Sequence, residues 1–308
     1  MIRLIPDTNI NFIGVRRIAF GMSLLLVVLG IFAFVMISTG KANLGIDFAG
    51  GVMLQGHFEQ PVAIDNLRAT LTDAYADANV TELNDFEYPN AFIIKTKRPE
   101  SEEESSQRAT AIKELLAENY VSNAFVLDSE HVIGPAVGES LRKDATWAIV
   151  ISLIGIIIYI WIRFDFRSGI AATIATFHDV LAVLGISYIL GLEFNLLIVT
   201  ALLTLAGYSL TDTVVVFDRI RENLNKFRGR GEFVHAVNRS INEVLSRTFN
   251  TSISTLVVVG ALFIFGGEVL RDFSFAIIMG VIVGTYSSIF VASPIVVEWE
   301  ARRPRRFK

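Results

Sequence analysis

Asp212 lies within a segment, Leu196–Phe217, that is otherwise apolar enough to sit in a membrane. A carboxylate costs roughly 2.5–3.5 kcal/mol to insert near the bilayer centre and less toward an edge, so this one needs a partner, a water-filled cavity or a proton. The next apolar segment opens with Arg247, Asn250, Thr251, Ser254 and Thr255. Their spacing of i, i+3, i+4, i+7 and i+8 marks one face of a helix. Lipid has no use for such a face, so the two segments are expected to meet inside a bundle. Tyr208 and Ser209, four and three residues before Asp212, share its helical face and offer it hydroxyl neighbours. A carboxylate held near a guanidinium can take up and release a proton, and each charge that crosses 100 mV releases about 2.3 kcal/mol. The competing readings are a static polar contact for Asp212 and a side chain snorkelling to the boundary for Arg247. Two turns of polar residues beyond Arg247 argue against snorkelling.

Other polar residues could support such a site. His178 and Asp179 stand about a third of the way into another apolar stretch, with Thr176 and Ala172 on the face of Asp179. A proton relay and a structural contact are both open for this pair. Asp218, with Arg219 and Arg221, reads as a cap at the membrane interface. The chain has no cysteine, which removes disulfide and thiolate chemistry. His57 and His131 are too far apart to suggest a metal site. The run Glu102–Glu104 lacks the interleaved ligands and turn glycine of a calcium loop and reads as an acidic helix start. No metal and no organic cofactor is expected; the coupling ion would be H⁺, with Na⁺ as the alternative.

Six elements must position these groups. Of 308 residues, 52% are apolar, and the mean hydropathy is +0.52. Six stretches are long enough to span a bilayer: Ile18–Ser38, Ala145–Ile162, Ile170–Leu190, Leu196–Phe217, Thr248–Phe265 and Phe273–Val297. The first is too long for the ~7–15-residue apolar core of a cleavable signal and is expected to be retained. Basic residues mark one side. Arg16 and Arg17 precede the first stretch, Arg163 and Arg167 follow the second, and five basic residues crowd Arg302–Lys308. Between Asp218 and Arg247, seven Lys/Arg face four Asp/Glu, whereas Gly191–Asn195 carries only Glu193. Both termini are therefore expected in the cytoplasm, with residues 1–39 forming the N-terminus and first helix, 144–299 the other five helices, and 300–308 a basic tail. Glu232–Ser246, within the cytoplasmic segment 218–247, reads as an amphipathic helix carrying Asn238, Arg239 and Asn242, at the membrane surface or against a partner.

Residues 40–143 are too many for a loop. They hold nine Lys/Arg against seventeen Asp/Glu, a balance of −8; the remaining +4 completes the net −4 of the chain. Acidity of this size argues against nucleic acid or anionic lipid as the partner of this part. Its pattern is strand Val52–Phe58, helix Ile64–Tyr75 with Pro61 at its first position, strands Val80–Phe86 and Ala91–Lys97, helix Ser101–Tyr120, and strand Ala124–Ile133. The order βαββαβ is the ferredoxin-like motif. The expected fold is thus a six-helix transmembrane protein with one ferredoxin-like α+β domain in the periplasm, between helices one and two. Gly45, Gly50 and Gly51 permit turns at the junction and would absorb motion if it is a hinge.

Several runs of residues resemble a known family. These are Gly45-Ile46-Asp47-Phe48-Ala49-Gly50-Gly51 after the first stretch, Val132–Gly138 before the second, Phe177-His178-Asp179 in the third, Gly207–Glu222 through the fourth, and Leu245-Ser246-Arg247-Thr248 opening the fifth. Together with the layout of one span, one exported domain and five spans, they are similar to the SecF branch of the SecD/SecF protein-export family, within the resistance–nodulation–division superfamily. The resemblance implies a bacterial inner-membrane subunit paired with SecD in a twelve-span, pseudo-symmetric assembly. It further implies ion-driven assistance to the SecYEG channel as a preprotein emerges, with YajC and YidC as further partners. The runs in the fourth and fifth stretches are specific, whereas the glycine box alone is weak.

Other functions fit less well. A small-molecule efflux subunit would share the six-span layout, but about 100 exported residues leave little room for a substrate cleft. An intramembrane hydrolase has no support, because HExxH, GxSxG and cysteine are all missing from the sequence. No enzymatic reaction is expected. A passive scaffold in the export machinery stays open at this point.

Overall fold

The computed structural model describes residues 8–83, 90–97, 99, 101–226 and 233–303. Six of its helices are long and apolar enough to cross a membrane. They are built on α1 (Arg16–Ser38), α5 (Pro135–Arg163), α6 (Phe166–Ile189), α7 (Leu196–Lys226), α8 (Phe233–Phe265) and α9 (Gly267–Ser287), the last continuing through a π turn into α10 (Ser293–Arg302). Helices α6, α7 and α9 form the buried centre, while α1, α5 and α8 bury only a minor part of their surface within the chain.

Small residues let the helices approach. A Cβ on Gly30 of α1 would lie 2.2 Å from the Leu181 carbonyl oxygen of α6, and one on Gly185 would lie 2.8 Å from the Gly30 nitrogen. Neither position accepts a larger residue without moving a helix. Pro294 supplies no backbone N–H, and the five-residue π turn Ser288–Ala292 precedes it. Ser293 Oγ donates to the Ser288 carbonyl at 2.9 Å across that turn.

The sequence-based boundaries shift where helices outrun their apolar stretches. α5 begins at Pro135, so one unbroken helix leads from the end of β4 through the second apolar stretch. The segment expected as a separate amphipathic helix is part of α8, a 33-residue rod; Glu232 lies outside the described residues. Its polar end is held by the N-terminal segment. Asn242 Oδ1 accepts from the Ile10 N–H at 2.9 Å, and Asn238 Oδ1 from the Phe12 N–H at 2.8 Å.

The soluble part follows the expected element order. α2 (Ile46–Ala49) is a single turn, followed by β1 (Gly51–Phe58), α3 (Ile64–Ala74), β2 (Asn79–Leu83), β3 (Ala91–Lys97), α4 (Glu102–Asn119) and β4 (Phe125–Ile133). All pairings are antiparallel in the order β2-β3-β1-β4. Val52, Leu54 and Phe58 of β1 pack with Leu67 and Leu71 of α3 and Ile112 and Leu116 of α4 into one core. Residues 84–86 of the expected second strand lie outside the described residues. Pro61 precedes α3 instead of opening it, because Asn123 accepts from the Gln60 N–H at 3.0 Å and donates to its carbonyl at 2.9 Å, holding that stretch against the start of β4. His57 Nδ1 meets Asp128 at 3.0 Å, and Ser101 caps α4 by accepting from the Glu104 N–H at 3.1 Å.

The junction between domain and helices is tightly bonded. Gly45 donates from its N–H to the Phe194 carbonyl at 2.8 Å, the Phe194 N–H donates to the Asn43 carbonyl at 2.8 Å, and Asp47 accepts from the Leu196 N–H at 3.0 Å. Glu193, in the α6–α7 connection, reaches Lys95 Nζ at 2.8 Å and Lys97 Nζ at 3.4 Å on β3. Gly50 and Gly51 hold φ of 71° and 153°, which side-chain-bearing residues rarely adopt. At Gly45 a Cβ would meet Asn195 at 2.8 Å, so close packing accounts for the glycine there.

Candidate functional site in the helical bundle

Asp179 of α6 is fully buried where α6, α7 and α9 meet. Its Oδ2 accepts from the Ser209 hydroxyl of α7 and, at 2.7 Å, from the Ser287 hydroxyl of α9; its Oδ1 lies 2.8 Å from His178 Nδ1. One carboxylate therefore ties three helices together with charge-assisted bonds. His178 Nε2 is buried with no hydrogen-bond partner. The ring of Tyr286 lies 6.4 Å from that of His178, and its hydroxyl donates to the Ala19 carbonyl of α1 at 3.0 Å.

Asp212 is 4% exposed, on α7 less than one turn beyond Ser209. The Ser209 hydroxyl expected beside it serves Asp179 instead. Thr285 of α9 lies beside Asp212 and shares a 2.6 Å hydrogen bond with Ser252 of α8. Asp212 Oδ2 has no hydrogen-bond partner, and neither do the buried Tyr208 hydroxyl, Thr248 Oγ1 and Asn250 Oδ1. All four belong to α7 and α8, which pack against each other. Buried polar groups are ordinarily satisfied, so these four atoms single out the α7–α8 pair as the candidate site.

Arg247 is not paired with Asp212. Its side chain is exposed, as are Thr251 and Ser254, while Asn250 and Thr255 are half-buried. The stripe thus turns outward, and the buried face of this part of α8 is Leu245, Thr248, Ser252 and Val259. Thr251 and Thr255 donate to backbone carbonyls four residues earlier in their own helix, and Ser254 to one three residues earlier, so their hydroxyls are already satisfied. α7 presents a matching outward face of Thr200, Thr204, Gly207 and Thr211. The expectation that the stripe faces α7 is corrected: the helices meet, but the stripe lies beside the contact.

Asp218 pairs with Arg163 at 2.5 Å, joining the ends of α5 and α7. Around it lie further ion pairs, Arg16 with Glu298, Arg167 with Glu300, and Arg219 with Glu222 and Glu243. Partial burial pulls the Glu243 carboxyl upward, but hydrogen bonds from Asn223, Arg239 and Arg219 outweigh it and hold the group at about 2. Among the described residues no group of three or more His, Asp or Glu is placed to hold a metal ion.

A family model for the C-terminal part of the SecD and SecF protein-export membrane proteins matches residues 112–302. The chain belongs to the SecD/SecF family. Within the family it is 52% identical to the protein translocase subunit SecF of Thermodesulfovibrio yellowstonii over 96% of both chains, and 41% identical to that of Desulfurispirillum indicum over 95% of this chain and 92% of the other. The crystal structure of SecDF from Thermus thermophilus, a translocon-associated membrane protein, superposes with a TM-score of 0.80 at 38% identity. That match covers 96% of this chain and 39% of the longer SecDF chain.

Sequence reasoning missed Ser252, Thr285 and Ser287. Ser252 is embedded in the polar run Asn250–Thr255, off the face that begins at Arg247, and Thr285 and Ser287 stand in a run with Tyr286 and Ser288, so none stood out singly. The available signal was the series Ser274, Thr285, Ser287, Ser288 and Ser293 in the sixth stretch, more polar than lipid contact requires.

Proposed function

We propose that this chain is a protein translocase subunit of the bacterial inner membrane, which works beside SecD and couples inward proton flow to assistance of a preprotein leaving SecYEG. The unpaired Asp212 Oδ2, buried in the middle of α7, carries this reading. A carboxylate with one buried oxygen left without a donor is suited to exchange a cation, whereas a carboxylate serving only as glue would be bonded at both oxygens, as Asp179 is. Arg247, Asn250, Thr251 and Ser254 form the partner-facing side of the path, and a second chain laid along the outward faces of α7 and α8 would complete it. SecD is the natural occupant, since in the Thermus relative the matching segment is part of one longer SecDF chain. The sheet-bearing unit is then a ferredoxin-like periplasmic domain, with both termini in the cytoplasm.

The test is ion uptake and preprotein release by proteoliposomes that hold this chain with its SecD. Asp212→Asn is expected to abolish the gradient-dependent part of both and leave assembly with SecD intact. Full gradient-dependent activity in that variant would defeat the coupling. Uptake driven by a sodium gradient in place of a proton gradient would reassign the ion to Na⁺.

A further inference from the structure

A cavity of about 420 Å³ opens between the start of α1 and α10. Its walls are Phe20, Ile295 and Trp299, and its rim is Glu298, Arg302 and Arg303. Arg302 lies in the last turn of α10 and Arg303 caps it. Trp299 is edge-on to Phe166 at 6.0 Å, the kind of aromatic pair that sits at headgroup level.

The charges around the cavity are mostly positive. Glu298 is the one carboxylate on its rim, and it is occupied by Arg302 Nε at 3.1 Å and Arg16 Nε at 3.8 Å. Arg302 is 77% exposed despite that bond, and Arg303 and Arg17 are exposed. Arg17 stands one turn before Phe20 on the same face of α1. Arg302 and Arg16 thus neutralise the one carboxylate, and Arg303 and Arg17 add two exposed guanidinium groups, next to a slot lined by two aromatic rings and an isoleucine.

We infer that this cavity binds one anionic phospholipid, its phosphate on Arg302 and Arg303 and the upper part of an acyl chain against Phe20, Ile295 and Trp299. A basic pocket between membrane helices, open to the leaflet and walled by aromatic and aliphatic side chains, matches a charged headgroup joined to a hydrocarbon tail. A soluble anion would use the arginines and leave the apolar wall without a purpose.

Trp299 is a built-in reporter, since the chain has only two other tryptophans, Trp147 and Trp161. The full chain carrying Trp147→Phe and Trp161→Phe, reconstituted with SecD, is titrated with brominated phosphatidylglycerol and brominated phosphatidylcholine. Quenching of Trp299 is expected to favour phosphatidylglycerol by about fivefold or more, the scale of one arginine near an anionic headgroup. Arg302→Gln with Arg303→Gln should bring the ratio close to one, while Arg239→Gln, which alters an arginine lining a different pocket, should leave it unchanged. A ratio of one in the starting protein overturns the proposal. So does a ratio that survives loss of Arg302 and Arg303, or one abolished by the Arg239 change alone. Inorganic phosphate at matched ionic strength should not relieve the quenching; relief by phosphate would make this a soluble-anion site and overturn the lipid assignment.

Discussion

Arg247 and Asp212 lie at the same depth and do not touch. Each is fourteen residues from its end of the α7–α8 hairpin, Phe233 for one and Lys226 for the other, which places both about 21 Å along their helices. Asp212 turns inward and is buried; Arg247 turns outward and is exposed. Replacing Arg247 with Gln should change the stability of the isolated chain by less than about 0.5 kcal/mol, as an exposed position would. With SecD present, ion uptake should fall about tenfold or more, the effect of losing one interaction of about 1.4 kcal/mol. Equal uptake by wild type and variant would remove Arg247 from the path.

Asp179 makes the opposite prediction. Ser209→Ala or Ser287→Ala removes one donor from a fully buried carboxylate and should cost about 1–3 kcal/mol, read from unfolding in mixed detergent micelles. The two changes meet on one oxygen and should not be additive. Asp179→Asn separates the two roles left open for this residue. If ion uptake is lost while the unfolding midpoint is kept, Asp179 is a relay; if the two fall together, it is a structural tie.

The α1–α6 contact depends on Gly30. Gly30→Val would drive a side chain into the Leu181 backbone and should destabilise the bundle by about 1–3 kcal/mol, the usual cost of overpacking. Gly21, on the same helix, has open space where a side chain would go, so Gly21→Val serves as the control and should be nearly neutral. Thermal unfolding of the two variants checks the difference.

Glu243 sets a pH dependence at the polar end of α8, before the apolar stretch that begins at Thr248. Its carboxyl is held at about 2, below its ordinary 4.5, by Asn223, Arg239 and Arg219. A depressed value means that the charged form is favoured in the folded protein, so the stabilisation is complete above about 4.5 and disappears as pH falls toward 2. Amide exchange at the Asn223–Ser240 contact should rise through that window and rise less steeply in Glu243→Gln. Both arginine partners are partly exposed, so the change should be modest and should shrink in high salt.

Much of this protein was legible in one dimension. Six spans follow from hydropathy, because no bilayer segment escapes a run of about twenty apolar residues. The βαββαβ order follows from period-two and period-3.6 patterns, which each element must show to bury one face. Asp212 stood out because a carboxylate in hydrocarbon is costly wherever it points. Tertiary structure decided what those residues do for one another. The sequence placed Ser209 beside Asp212, but packing gave it to Asp179, since a hydroxyl three residues away along a helix can as easily face the neighbouring helix. The stripe beginning at Arg247 was readable as a face, yet which way α8 turns that face depends on how it packs against α7 and α9. Helical periodicity groups residues onto a side; only the neighbours that close around the helix determine whether that side meets the core, the lipid or a second chain.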